Sequence, residues 1–393
     1  MNVCFETFGC RLNKAEALQM EADYLAEGWT VVKEHKKADL FVVRGCSVTS
    51  HAQHEGERMV AHLRKHYPLI PIRVCGCLTD PTKSSHIRFG SARKVEVGTS
   101  VAVPTRTARA YLKVQDGCSG RCAFCIVPKF RGASRSEDFS SVLDKAKRFV
   151  DAGYHELVVT GCNLALYASQ GKRLPDLINA LAKVDAGCRV RLGSVEPGDC
   201  ALETVHAMSA HENVCRFLHL TIQSGSNRIL RAMRRSYNVK KVGEVIEAAT
   251  RLMPRLGLSC DLMMGFPDES DIDFAATHGL LTRFPFTNAH VFPYSVRPGT
   301  IAAKLPNEVP KPIRKARAHE LIALAQARRL EAAKSYWGKT VEVLIEDEEK
   351  CSGWTGERFS CRIKGGVVPR KSLVSATVLR VEGESFVARV KVP

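Results

Sequence analysis

Short apolar runs alternate with helical stretches from the start of the chain to about residue 295. No other feature constrains the fold as much. The first block reads NVCFETFG as a strand, 14–27 as a helix, DLFVVRG as a strand, 51–66 as a helix and PIRVCG as a strand. This is the pattern of a parallel sheet with helices packed on its faces. A basic stretch with proline and threonine, 99–108, reads as a linker. A second alternation starts at RAYLKVQ and continues through ELVVTG, RVRLGS, FLHLTIQ, LSCDLMMGF and NAHVFPYS, with helices such as 139–152 and 239–255 between them. Six strands at this spacing predict repeated βα units and a partial TIM-like barrel. Pro306, Pro310 and Pro312 then punctuate the chain, and a basic helix follows over 313–336. From Gly338 the apolar period becomes two, in TVEVLIE, ERFSCRI, SLVSATVLRV and ESFVARV. That predicts a small all-β barrel. The expected division is 1–103, an open parallel-sheet domain; 104–336, the partial barrel; and 337–393, the β-barrel.

Hydrophobic residues make up 45% and charged residues 25% of the chain. These ordinary values exclude disorder and low complexity as overall readings. No apolar run reaches the length of a membrane span, and MNVCFETFGC lacks the marks of a signal peptide. The expectation is a cytoplasmic protein without a membrane partner. The 58 Lys and Arg against 41 Asp and Glu give +17, a balance that suits a polyanionic partner such as nucleic acid. The 15 cysteines are odd in number. In a cytosolic chain they predict buried thiols, plus a subset that holds metal, rather than a disulfide framework.

The sharpest local signal is Cys118-Ser-Gly-Arg-Cys122-Ala-Phe-Cys125, a C-x3-C-x2-C triplet directly after RAYLKVQ. Three thiolates on one short loop can wrap an iron–sulfur cluster. A four-iron cluster held by only three would keep one iron open to a substrate. A tetrahedral zinc site is the alternative, but such sites usually bring four ligands, often as C-x2-C pairs from two loops. A second set is dispersed. Cys10, Cys46 and Cys77 each follow a glycine at the carboxyl end of a predicted parallel strand. In open α/β sheets those ends share one edge, where ligands bind. The three thiols therefore converge, as a second three-thiolate site or as three buried core cysteines. Cys4 and Cys75 lie within strands and are left out.

QDGCSGRCAFCIVPKFRG, TFGCRLNKAE, GCSVT, VCGCLTD, LTIQSGSNRILRAMRR, DLMMGFPDE and HVFPYSVRPGT together span most of the chain. In combination they resemble the methylthiotransferase branch of the radical S-adenosylmethionine (radical SAM) enzymes, and the terminal barrel resembles a TRAM RNA-binding domain. The resemblance implies two 4Fe-4S clusters and S-adenosylmethionine. Cys118, Cys122 and Cys125 would hold the cluster that binds S-adenosylmethionine, and Cys10, Cys46 and Cys77 an auxiliary one. Members of this branch act on isopentenyladenosine in tRNA, on threonylcarbamoyladenosine in tRNA, or on an aspartate of a ribosomal protein. GCRLN, VTGCNLALY and HVFPYSVRPGT are most similar to the second group. The implied activity is addition of a methylthio group to C2 of N6-threonylcarbamoyladenosine next to the anticodon. An electron donor and a sulfur source, neither identified by the sequence, would be further partners. The competing reading is a non-catalytic Fe–S or zinc RNA-binding protein. Two positions depart from the family pattern: Arg44-Gly45 stands where Asn-Thr is usual, and Cys162 replaces an aliphatic residue.

Candidate cofactor contacts at strand ends are Asn163, Ser194, Glu196, Gln223 and Gly265, with Phe124 beside the adenine or in the core. Two basic runs, 228–241 and 311–339, are the expected RNA-facing surface. The first brings Arg228, Arg231, Arg234, Arg235, Lys240 and Lys241. Phosphate contacts of this kind position an RNA and base contacts specify it.

Overall fold

The computed structural model describes residues 1–47, 50–78, 102–104 and 106–391; the linker read over 99–108 lies partly outside them. Strands β1 (Asn2–Thr7), β2 (Thr30–Val32), β3 (Leu40–Gly45) and β4 (Ile72–Gly76) form a parallel sheet in the order β2-β1-β3-β4. Helices α1 (Arg11–Ala26) and α2 (Ser50–His66) take opposite faces. The period-two alternation of strand side chains explains this. Val3 and Val42 pack with Met20 of α1, while Cys4, Phe41 and Val43 pack with Val60 and Leu63 of α2. The chain leaves β1 on one side for β2 and returns on the other for β3, so the sheet reverses its winding between β1 and β3. That switch point is where open α/β sheets bind ligands.

The second unit is an open arc of parallel strands: β5 (Ala110–Lys113), β6 (Glu156–Thr160), β7 (Arg189–Leu192), β8 (Ser194–Val195), β9 (Phe217–Gln223), β10 (Gly257–Met264) and β11 (Asn288–Pro293). Ladders run β7-β6-β5 and β8-β9-β10-β11, and β7 and β8 are joined through Gly193. No ladder among the described residues links β11 to β5, so the barrel is partial, as expected. Leu218, Leu220 and Ile222 of β9 and Leu258, Cys260 and Leu262 of β10 face outward into the main core beneath the surrounding helices. The alternate positions face inward and are largely polar: Glu156, Arg189, Arg191, His219 and Asp261. The arc therefore encloses a charged lumen.

Helix α3 (Val127–Arg131) follows the cysteine loop, and α4 (Lys311–Lys334) runs along β10 and β11 toward the last unit. There β12 (Thr340–Asp347), β13 (Ser352–Thr355), β14 (Ser360–Lys364), β15 (Leu373–Glu382) and β16 (Ser385–Val390) close a barrel in the order β12-β13-β14-β16-β15. Phe359 and Phe386 stack inside it with ring centroids 4.8 Å apart, and Tyr336 lies against both.

This barrel plugs the amino-terminal end of the arc. Glu156, fully buried, receives Arg189 and Arg191. Arg189 donates onward to the carbonyls of Glu342 (3.2 Å) and Trp354 (2.8 Å). Arg191 donates to Gly356 (3.0 Å) and Thr355 (2.9 Å). Arg109 pairs with Glu346 across the same seam. At Gly257 a side chain would collide with the Glu357 backbone. Among the described residues, no helix is long and apolar enough to cross a membrane.

Candidate functional site

The opposite, carboxyl end of the arc carries the triplet loop. Gly120 donates its amide to Cys118 Sγ at 3.3 Å. A Cβ on Gly120 would sit 3.2 Å from Cys118 Sγ and 3.8 Å from Cys122 Sγ, so the two sulfurs flank the space beside this glycine, which a side chain would crowd on the Cys118 side. Burial, with repulsion from Cys122 and Cys118, pushes the Cys125 thiol up to about 12. Three thiolates here are stable only against cationic counter-charge, which the irons of a cluster would supply.

The dispersed cysteines converge as the sheet geometry requires. Cys10 caps α1 beyond β1, Cys46 follows β3 directly and Cys77 follows β4. Gly9 has φ +95°, and any side chain there would strike Cys46. The amide of Cys77 donates to the Gly45 carbonyl at 2.9 Å. A hydrogen bond from Cys46 lowers the Cys10 thiol to about 6. The chemistry of both sets fits thiolate-held iron–sulfur clusters. Tetrahedral zinc would draw its sulfurs to about 3.8 Å from one another. Among the described residues, neither trio is that tight, whereas Cys4, Glu6 and His35, and also His219, Asp261 and His290, bring their donor atoms within 4.8 Å of one another.

Arg131 ties the two trios together. It ends α3, six residues after Cys125, and its Nε donates to Cys77 Sγ at 3.3 Å. Its other nitrogens donate to Asn13 (2.8 Å), Glu16 (3.0 Å) and Asp116 (2.9 Å). Glu16 also takes Lys113 at 2.5 Å and pairs with Arg44. The departure at position 44 turns into this network and also donates to Cys75 Sγ at 3.5 Å. Cys162, the other departure, lies 3.6 Å from Asp116.

Burial pushes the Glu16 carboxyl up, but Arg44, Arg131 and Lys113 outweigh it and hold it at about 2. A depressed carboxyl stabilises the fold above its ordinary range and loses that contribution as pH falls toward 2. The urea midpoint of the wild type is expected to fall between pH 5 and pH 3. The Glu16→Gln variant, less stable at pH 7, is expected to show a flatter decline over that window. Parallel curves for the two proteins would contradict this role for Glu16.

Of the strand-end candidates, Asn163 and Glu196 meet. Asn163 donates to Glu196 at 2.8 Å, and both lie beside Cys118. Gln223 has φ 72°, and its Oε1 is buried with no hydrogen-bond partner. An orphaned acceptor there fits a ligand that donates. Ser194 opens β8, level with His219 of β9. The other two have packing reasons. Phe124 packs edge-on to Phe266, with centroids 6.5 Å apart. Gly265 has φ +71°, and the side chain of Arg314 crosses the space its Cβ would fill.

The basic runs require correction. Arg235 is turned inward, donating to Cys122 Sγ at 3.0 Å and pairing with Glu196 at 3.3 Å. Arg228 spends its guanidinium on Asp268 and Asp273. Arg231 and Lys241, with Asn227 and Asn238, line a cleft of about 480 Å³ that Arg235 also reaches. Arg234 and Lys240 are exposed. In the second run, Arg314, Arg317, Arg328 and Arg329 hold α4 to the arc through backbone carbonyls and carboxylates. Only lysines 311, 315, 334 and 339 point outward there.

The sequence reading missed the lumen. His219 Nε2 lies 3.0 Å and His290 Nδ1 3.4 Å from Asp261 Oδ1. The legible signal was a polar residue at an inward position of each of three apolar strands. Arg11, at the start of α1, also reaches this lumen. Burial and the charge of Arg191 lower its pKa, while Tyr111 and Asp261 oppose them.

Two family models match the chain: the Radical SAM superfamily over residues 112–281, and Uncharacterized protein family UPF0004 over residues 2–95. A threonylcarbamoyladenosine tRNA methylthiotransferase, MtaB of Aquifex aeolicus, is 29% identical over 385 residues, covering 89% of this chain and 94% of the relative. A tRNA-2-methylthio-N(6)-dimethylallyladenosine synthase of Mycobacterium bovis is 30% identical over 405 residues, covering 92% and 79%. Among solved structures, the radical S-adenosylmethionine methyltransferase TsrM of Kitasatospora setae, with cobalamin and a [4Fe-4S] cluster bound, superposes with TM-score 0.54 at 12% identity, over 77% of this chain and 76% of that one. That likeness shows the fold.

Proposed function

The chain belongs to the radical SAM tRNA methylthiotransferase family, and from that premise we propose that it places a methylthio group on C2 of N6-threonylcarbamoyladenosine next to the anticodon. The observation that carries the reading is the pair of cysteine trios at one mouth of the arc, bridged by Arg131. Cys118, Cys122 and Cys125 hold the cluster that binds S-adenosylmethionine, and Cys10, Cys46 and Cys77 the auxiliary cluster. Bound there, the cofactors supply radical chemistry and sulfur that no side chain provides. The chain supplies position and dryness. Asn163, Glu196 and Gln223 orient S-adenosylmethionine through hydrogen bonds, and Arg235 places a positive charge against Cys122. Arg131 fixes one trio relative to the other. The plugged far end of the arc shuts bulk water out of the lumen.

In this reading the chain divides at about residues 103 and 336. The terminal barrel is a TRAM module that works with Arg231, Arg234, Lys240 and Lys241 on tRNA phosphates. The protein acts in the cytoplasm with a separate electron donor and sulfur source. The phrases GCRLN, VTGCNLALY and HVFPYSVRPGT support the threonylcarbamoyl substrate. The test is nucleoside mass spectrometry of tRNA from cells with and without the gene. Loss of the methylthio-threonylcarbamoyl nucleoside, with its precursor accumulating, is the expected result. Loss of the methylthio-dimethylallyl nucleoside would move the assignment to that substrate. Unchanged tRNA would move it to a ribosomal protein or to a non-catalytic RNA binder.

A further inference from the structure

Among the described residues, one cation of the lumen has no hydrogen-bond or ion-pair partner. Arg109 is matched by Glu346 and Glu156, and Arg189 and Arg191 by Glu156. Asp261 is shared by His219 and His290. Arg11 opens α1, which packs against β5 of the arc, within range of the charges of Arg191, Arg109 and Asp261, yet no hydrogen bond or ion pair holds its guanidinium among the described residues. Beyond it, Arg358 has a buried Nη1 without an acceptor, within reach of the charges of Arg109, Arg191 and Arg11. A partly buried guanidinium left over beside two others is a site waiting for an anion, because desolvating an unpaired charge is costly and a carboxylate offsets that cost with two parallel hydrogen bonds.

We propose that Arg11 binds the carboxylate of the threonyl group carried on N6 of the substrate adenine, and so selects that substrate over one with a hydrocarbon substituent. This rests on the tRNA reading above. Arg11 follows Cys10 directly, so the cation sits beside the trio from which sulfur would be delivered. C2 and C6, the carbon that bears N6, flank the same ring nitrogen of the adenine, so a base with C2 toward that trio has its N6 substituent within the surroundings of Arg11. A threonylcarbamoyl group ends in a carboxylate and a hydroxyl, and the neighbouring His219–Asp261–His290 group and Tyr111 offer hydrogen-bond partners for the rest of it. A dimethylallyl group offers Arg11 nothing and would desolvate it without return.

The test uses the reconstituted holoenzyme and anticodon stem-loops that differ only at the target adenosine, carrying threonylcarbamoyl, its methyl ester, dimethylallyl or nothing. Binding is read by anaerobic fluorescence anisotropy and turnover by mass spectrometry. The wild type should bind the free acid roughly 10- to 100-fold more tightly than the methyl ester. Arg11→Gln should erase that difference with its iron content unchanged, and Arg11→Lys should restore part of it. If Arg11→Gln keeps the preference for the acid, or if the wild type binds ester and acid alike while converting the acid, Arg11 is not the reader and the tRNA reading stands. A wild type that converts only the dimethylallyl stem-loop overturns the substrate reading itself.

Discussion

Replacing Cys118 with alanine is expected to abolish cleavage of S-adenosylmethionine to 5′-deoxyadenosine, whereas replacing Cys46 with alanine should leave that cleavage and stop methylthio transfer. Each substitution should also lower iron from about eight to about four per chain. The reason lies in the separation of the two trios. Cys118 shares its loop with Cys122 and Cys125 and touches the Asn163–Glu196 pair. On the proposed assignment, its loss removes one of the three thiolates that would hold the cluster beside that pair. Cys46 is buried against Gly9 on the other sheet, and its loss leaves the triplet loop and Arg235 in place. Anaerobic assay of 5′-deoxyadenosine together with methylthiolated product separates the two. Equal loss of both activities in both variants would contradict the division of labour.

The second large effect is on stability. Among the described residues, Glu156 is the sole carboxylate bonded to Arg189 and Arg191, and it also lies 3.8 Å from Arg109. Removing one member of a buried ion cluster leaves its partners desolvated and unpaired, at about 3–5 kcal/mol. In a unit of this size that corresponds to a melting midpoint lower by roughly 6–20 °C. Glu156→Gln keeps the shape and removes the charge, so calorimetry of this variant isolates the electrostatic part. The double variant Glu156→Met with Arg189→Met should recover part of the loss, because an apolar pair replaces an uncompensated charge. A midpoint within about 2 °C of wild type for Glu156→Gln would show that the arginines are satisfied by the barrel carbonyls alone.

The alternation of strands and helices was legible because parallel strands buried on both faces leave continuous apolar runs. Strand β13 was not, because Ser352-Gly-Trp-Thr355 has no apolar alternation; Gly353 is there because its backbone lies against the Leu344 carbonyl. Helix α1 begins at Arg11 rather than at residue 14, since Cys10 takes the extended N-cap position and the chain turns at once into the helix. The cysteine sites were readable for opposite reasons, one from tight spacing and the other from strand ends sharing an edge. Charge counting misled on 311–339. Arginine carries five donors and a long apolar stem, so Arg314, Arg317 and Arg329 are buried as clamps to carbonyls and carboxylates. Arg131 and Arg11 were hidden for a related reason: each gains its meaning from partners, or from the lack of them, brought by distant parts of the chain.

The five carbonyl and carboxylate contacts that pin the terminal barrel beneath the arc turn it from a tethered arm into a caliper. On the proposed function, an RNA gripped by that jaw would meet the opening at a set span, which depends on the height of the arc strands and not on linker slack. The choice of nucleotide then becomes partly a matter of length along the folded RNA, so inserting or deleting a base pair in the anticodon stem would shift the target out of register even with its sequence intact.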